Sequence, residues 1–337
     1  MKLIVTFGEI MMRLSTPGFG RFVQTGSLNV NFGGGEANVA AAIAYLGIPA
    51  RHVTRFPANE WGYAAAAAYR RYGVDTSQIV FGENERIGVY FLETGAMMRP
   101  SKVLYDRAGS AFATLNPAEF DWEMLLADAR WFHFTGITPA ISESAAQACL
   151  QAVQTANRLG ITVSADVNSR KNLWKWGKTA AEVMPELVAG CDLIVCGKGD
   201  AEELFGITEQ KGEDKGFISI CRQIQARFPR VKKILTTKRG SVSATHNTLL
   251  GRCWTGQELL QTVTYDMMPM IDRIGGGDAF LGGFIYGTLT YGDDQKALNF
   301  ATAASALKHS IEGDFSLVSV AEVETVMHGD ATGKLSR

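Results

Sequence analysis

The stretch Ile271-Asp272-Arg273-Ile274-Gly275-Gly276-Gly277-Asp278-Ala279-Phe280 constrains this chain more than any other. After Asp278, the residues Phe280, Leu281, Phe284, Ile285 and Leu289 recur at steps of three and four, which predicts a helix with a buried face beginning at the glycines. The first turn of a helix leaves backbone N–H groups without intrahelical partners, at the positive end of the dipole, and glycines let an anion approach them closely. Such a turn is a cradle for a phosphate or an oxyanion. Asp278 then stands beside the bound phosphate, where a carboxylate can take the proton of an attacking hydroxyl. For Gly-Gly-Gly-Asp alone the plainer reading is a turn closed by an aspartate cap, since aspartate is a preferred cap.

Upstream, short apolar runs alternate with helical patterns. Leu3–Phe7 reads as a buried parallel strand, His52–Arg55 as a strand and Trp61–Tyr72 as a helix. A helix from about Glu143 to Leu159 separates strands at Trp131–Phe134 and Ile161–Ala165. Leu193–Cys196 and Lys233–Thr237 are further strands, residues 242–264 read as shorter edge strands, and helices follow to the end. This rhythm predicts an α/β fold, a doubly wound and mostly parallel sheet flanked by helices, with ligands beyond the carboxyl ends of the strands. Two stretches interrupt it. Residues 11–32 read as irregular strands, and Gly88–Glu93 and Lys102–Arg107 as two strands joined by a turn near Thr94-Gly95, so segments 11–32 and 86–112 are expected to form a small separate sheet. With no repeat and no linker, residues 1–337 are expected to be one domain.

A second glycine cluster, Phe32-Gly33-Gly34-Gly35-Glu36-Ala37-Asn38, leads into an alanine-rich helix that ends near Leu46-Gly47-Ile48-Pro49. It is not a dinucleotide fingerprint, because Asn38 stands where the third glycine would fall.

Taken together, these strings resemble one family. Asp272 with Gly275-x-Gly277-Asp278-x-Phe280 resembles the D-T-x-G-A-G-D-x-F signature of the ribokinase (PfkB) carbohydrate kinases, and Gly33-Gly34-x-x-Ala37-Asn38 their G-G-x-x-A-N motif. The resemblance implies Asp278 as catalytic base, the amides of Gly275, Gly276 and Gly277 as anion hole, and sugar contacts from Gly33, Gly34 and Asn38. It also implies a ribokinase-like fold whose small sheet is a lid over the sugar and often the dimer contact, hence a homodimer or higher homo-oligomer. Arg273 stands where the family has Thr, and Gly276 where it has Ala.

Tyr90, Tyr105, Arg107, Asn168 and Arg170 suggest what the lid holds. Guanidinium groups bind carboxylates in a bidentate, charge-assisted geometry, so an acid sugar is the natural guest. The strings Tyr105-Asp106-Arg107-Ala108-Gly109-Ser110-Ala111 and Asp166-x-Asn168-x-Arg170-x-x-Leu173-Trp174 resemble those of the 2-keto-3-deoxygluconate kinases within the family, which implies that Tyr and Arg side chains grip the carboxylated end. Asp106 replaces a second tyrosine, and either repulsion of a carboxylate or orientation of Arg107 fits it. The resemblance implies ATP and Mg²⁺ as well. In the N-x-x-E element that organises the metal, Gly197 and Asp200 replace Asn and Glu, leaving Asp200, through water, as the candidate. Thr237, Arg239 and Gly240 lie in an altered nucleotide segment, and Asn299 and Ala303 on a helix that edges the adenine site in relatives. Lys308-His309-x-Ile311-x-Gly313-Asp314-Phe315 again resembles the subgroup.

Composition excludes other classes. A net charge of −1 gives no global field for nucleic acid or a membrane surface, and no apolar run reaches the roughly 18 residues of a membrane span. Five scattered cysteines and no signal-peptide pattern point to a reduced, cytoplasmic protein. His52, His133 and His328 lack metal-ligand spacing and read as packing or surface residues. The expectation is ATP-dependent phosphorylation of the terminal hydroxyl of an acid sugar, most like 2-keto-3-deoxygluconate. The alternatives are a fructokinase-like neutral-sugar kinase and a sugar-binding protein with decayed catalysis.

Overall fold

Leu3–Phe7 is apolar at four of five positions, and such a run is stable only where both faces of a sheet are covered. In the computed structural model, which describes residues 3–210 and 216–329, it lies inside a ten-stranded sheet flanked by helices. The strands run in the order Leu259–Gln261, Asn247–Trp254, Lys233–Ser241, Leu193–Val195, Thr162–Asp166, Ala129–Thr135, Leu3–Phe7, Ala50–Val53 and Val74–Asp75, and Tyr265–Met267 also pairs with Asn247–Trp254. Pairing is parallel from Lys233–Ser241 to Val74–Asp75 and antiparallel at the Asn247–Trp254 end. This is the doubly wound sheet the sequence predicts. The strand order turns back between Leu3–Phe7 and Ala129–Thr135, and a ligand crevice opens at the carboxyl ends around such a point.

The glycine-led helix spans Gly276–Tyr291. Phe280, Leu281, Phe284 and Ile285 are buried as the periodicity predicts, but so are Gly282, Gly283, Tyr286 and Gly287, because helices cover it on more than one side. Its neighbours are Gly35–Tyr45 and Asp294–Lys308. Glycine permits that closeness: a Cβ at Gly287 would lie 2.6 Å from the Ala297 Cα, and one at Gly282 would lie 2.9 Å from the Ala42 Cβ. The helix behind the glycine turn is thus packed closely against both neighbours.

A separate four-stranded sheet has the order Asn29–Gly33, Met11–Ser15, Gly88–Glu93, Lys102–Asp106. Met11–Ser15 runs parallel to Gly88–Glu93, and both outer pairings are antiparallel. The connection expected as a turn near Thr94-Gly95 is longer, because Ala96 and Arg99 exchange backbone bonds before the second strand begins at Lys102. Val30 and Leu104 remain 46% and 58% exposed, so this sheet keeps an apolar surface in solvent. His52 and His133 are buried core residues, bonded to Thr6 and the Gly8 carbonyl and to Ser164 respectively. Among the described residues, no helix is long and apolar enough to cross a membrane.

Candidate active site

The loop after the cis Met268–Pro269 peptide reaches the helix through Gly275, whose φ of 81° is left-handed backbone that favours glycine. A Cβ there would also lie 2.0 Å from the Asp314 carbonyl oxygen. Asp272 braces the loop: its Oδ1 accepts from the Ile274 N–H at 3.0 Å and its Oδ2 from the Gly313 N–H at 3.1 Å. The amides of Gly275 to Gly277 therefore sit on a fixed turn, at the end of the helix that attracts anions.

Asp278 lies in the first turn, half-buried and on the wall of a cleft of 1320 Å³. Its Oδ2 accepts from Asn38 Nδ2 at 2.7 Å, and its Oδ1 has no hydrogen-bond partner among the described residues. Burial pushes its pKa up to about 7; the Asn38 bond opposes this, the charges of Asp314 and Glu36 add to it, and Arg170 opposes it. A carboxylate with one oxygen held, the other free and a pKa near neutrality is suited to accept a proton.

The cleft brings together most of the residues singled out by sequence. Gly33, Gly34, Tyr90, Tyr105, Arg107, Asn168, Arg170, Thr237, Arg239, Gly275, Gly276, Gly277 and Asp278 all line it. Asn38, Asp200, Gly240, Asn299 and Ala303 do not. Asn38 is 3% exposed and spends its amide on Asp278, while its carbonyl oxygen receives Tyr69 Oη–H at 3.3 Å. It therefore holds the Asp278 carboxylate, where the family resemblance implied a sugar contact. Ala303 is fully buried in a packed group with Tyr286, Phe300 and Val318. Asn299 accepts from Gln295, its neighbour one helical turn away. Asp200 caps the helix Lys198–Phe205 through the Gly197 N–H and also accepts from the Ser169 N–H at 3.3 Å, so it braces the loop bearing Asn168 and Arg170.

The arginines differ in what surrounds them. Arg107 gives Nε and Nη2 to Glu9 Oε2 at 2.8 and 2.5 Å, and Ser110 donates to Oε1 of the same carboxylate. Glu9 therefore orients Arg107, while Asp106 pairs with Arg86 through both carboxylate oxygens at 2.8 Å. Arg170 is exposed, with its Nε on Asn168 Oδ1 at 2.8 Å. Asn168 and Arg170 have φ of 27° and 41°, an unfavourable conformation for these residues that concentrates at ligand-binding sites. Tyr90 presents its ring to the cleft, its hydroxyl committed to Asp314 at 2.5 Å.

Acidic residues that sequence reasoning passed over complete the site. Glu36, 1% exposed, accepts from the Thr135 N–H and hydroxyl and from Thr138, and burial raises its pKa. Asp166, at the end of Thr162–Asp166, is pushed up to about 7 by burial and then by the charges of Asp200 and Asp278. Beneath the lid, Arg13, 1% exposed, bonds Asp314 at 2.8 Å and Asp272 at 2.5 Å. That buried ion cluster ties a lid strand to the glycine loop, and leaving one member unpaired would be costly. Glu9 follows the first strand at a carboxyl end, a position where binding residues collect, and that was the available signal.

Comparison with known proteins places this arrangement. The fold and cleft are those of a sugar kinase. The model of the pfkB family carbohydrate kinases matches residues 1–316, and the chain belongs to that family. It is 31% identical over 330 residues to a 2-dehydro-3-deoxygalactonokinase of Haloferax volcanii, covering 98% of each chain. It is 26% identical over 315 residues to a 2-dehydro-3-deoxygluconokinase of Bacillus subtilis, covering 93% of this chain and 92% of that one. The crystal structure of a 2-dehydro-3-deoxygluconokinase from Thermotoga maritima superimposes with a TM-score of 0.92 at 42% identity, covering 98% of this chain and 100% of the other.

Proposed function

We propose that this kinase transfers a phosphoryl group from ATP to the terminal hydroxyl of a 2-keto-3-deoxy sugar acid, 2-keto-3-deoxygluconate becoming its 6-phosphate. The observation that carries the reading is one cleft holding Asp278, the Gly275–Gly277 turn, Arg107 at the end of a lid strand and Arg170 on the loop after Thr162–Asp166. In this reading Arg170 and the free edge of Arg107, with Tyr105, hold the carboxylate, and the glycines at 33 and 34 leave room for the sugar backbone. A Cβ at Gly33 would lie 1.9 Å from Asp314 Oδ2, so glycine there lets the strand end pack directly against that carboxylate at the cleft wall. The names of the relatives include both the gluconate and galactonate acids, which supports the acid class.

Asp278 accepts the proton as the substrate oxygen bonds to the γ-phosphorus, the bond to the bridging oxygen breaks, and ADP leaves. The glycine amides receive the transferred group's negative charge, the kind of interaction that strengthens in the transition state. Among the described residues, no group of three or more acids, cysteines and histidines is placed to hold a metal. That suits Mg²⁺, which keeps several waters and binds largely through substrate phosphates. Asp166, at the carboxyl end of Thr162–Asp166 and on the cleft wall, would face the cation, and Asp200 would act through water. Bound Mg²⁺ would neutralise charge on the phosphates. The chain would act as one unit, with segments 11–32 and 86–112 as lid.

A panel of acid and neutral sugars with coupled ADP detection tests this. The acids, including the galactonate epimer, should turn over at least about a hundredfold faster per KM than fructose. In Arg170→Ala, both rates should fall through the effect on Asp278, but kcat/KM for the acid should lose about 2–3 kcal/mol more transition-state stabilisation than that for a neutral sugar. Equal losses on both would remove the carboxylate argument.

A further inference from the structure

Arg239 and Arg273 line the same cleft as the glycine turn. Neither has a carboxylate partner among the described residues, unlike Arg107 and Arg13, and the pKa of Arg239 is lowered first by partial loss of hydration in the cleft and then by repulsion from Arg273. Two like charges left uncompensated in a cleft are unfavourable until an anion arrives. A single carboxylate would answer one of them; a run of phosphates answers both.

The partner of Arg239 explains its aim. Arg239 Nη2 lies 3.4 Å from His309 Nε2, and His309 Nδ1 lies 2.6 Å from the Ser305 carbonyl oxygen. A carbonyl can only accept, so Nδ1 carries the proton and Nε2 offers its lone pair to the guanidinium. His309 is 1% exposed, and burial keeps its pKa near 4, so the ring stays neutral and able to accept. The same residue shapes the glycine turn. Its carbonyl receives the Ile271 and Asp272 N–H groups at 2.8 and 3.3 Å, and a Cβ at position 276 would lie 2.5 Å from the ring's Cε1. The glycine at 276, where the family signature has alanine, leaves the room that the ring fills.

We propose that Arg239 and Arg273 form a clamp for the outer phosphates of the nucleotide beside the glycine amides, and that His309 is the positioning residue that aims Arg239 and seats Gly276. This deepens, and rests on, the reading of the cleft as a phosphoryl-transfer site. The two departures from the family signature, Arg273 and Gly276, then belong to one device.

Isothermal titration calorimetry of the full chain with sodium tripolyphosphate tests it without turnover. Arg239→Met should weaken binding about tenfold to a hundredfold, the range of a lost charge-assisted bond, with 2-keto-3-deoxygluconate affinity unchanged. His309→Leu, similar in bulk but without an acceptor, should weaken it comparably, His309→Gln should restore most of the loss, and Arg239→Met with His309→Leu should be no worse than either alone. Tripolyphosphate binding by Arg239→Met as tight as wild type would overturn the clamp, and additive losses in the double variant would overturn the role of His309. A wild-type chain that bound no tripolyphosphate would overturn the phosphoryl-transfer reading beneath it as well.

Discussion

The base we propose, Asp278, must be unprotonated when its hydroxyl arrives, and it is held at the margin of that condition. Burial raises its pKa to about 7 against the opposing bond from Asn38. The acid form is favoured below that value, so kcat/KM for the sugar should rise with pH through an apparent pKa near 7. Removing the amide in Asn38→Ala takes away a bond that favours the charged form, and the limb should move upward; a limb that stays below about 5 in both proteins would contradict the assignment. The glycine-led turn, its helix and the place of Asp278 in the first helical turn were legible in the sequence, because glycines, aspartate and helix period follow one another directly between Gly275 and Leu289. The grip on Arg107 was not. Its partner, Glu9, comes from 98 residues upstream, and the neighbouring Asp106, which sequence could place in two ways, is taken by Arg86. Ion pairs across such distances leave no local pattern.

At the scale of elements, the Gly276–Tyr291 helix shows what periodicity captures and what it misses. Its apolar side was plain, but Gly283 and Gly287 have no side chain to register in the pattern, although they set how closely Asp294–Lys308 can pack. Gly287→Ala would put a methyl 2.6 Å from the Ala297 Cα and should cost roughly 1–3 kcal/mol, read as a lowered melting midpoint; an unchanged midpoint would mean the helices are free to separate. The strand Lys233–Ser241 extends four residues beyond the expected Lys233–Thr237. Residues 238–241 are exposed, so no hydrophobic alternation marks them, and they are held instead by the backbone ladder to Asn247–Leu250. Arg239 is therefore on a strand, beyond the point where the apolar pattern of Lys233–Thr237 stops.

On the scale of the whole molecule, the lid and the glycine loop are mechanically joined, since Arg13 on a lid strand bonds Asp272, which braces that loop, and Asp314, which also holds Tyr90. The small sheet was visible as a break in the βα rhythm; its tie to the loop, 259 and 301 residues away in sequence, was not. Its apolar surface at Val30 and Leu104 is the face we propose for a homodimer. Light scattering should give twice the chain mass for the wild type and the single mass for Leu104→Glu; a wild-type monomer would remove the proposal. Turnover by the whole molecule is expected to depend on Asp278. In Asp278→Asn, calorimetry should find ATP and 2-keto-3-deoxygluconate bound within about threefold of wild type, while kcat falls by about three orders of magnitude or more, in line with a lost general base acting in a prepared site. Turnover within tenfold of the wild type, with both substrates bound, would contradict the account.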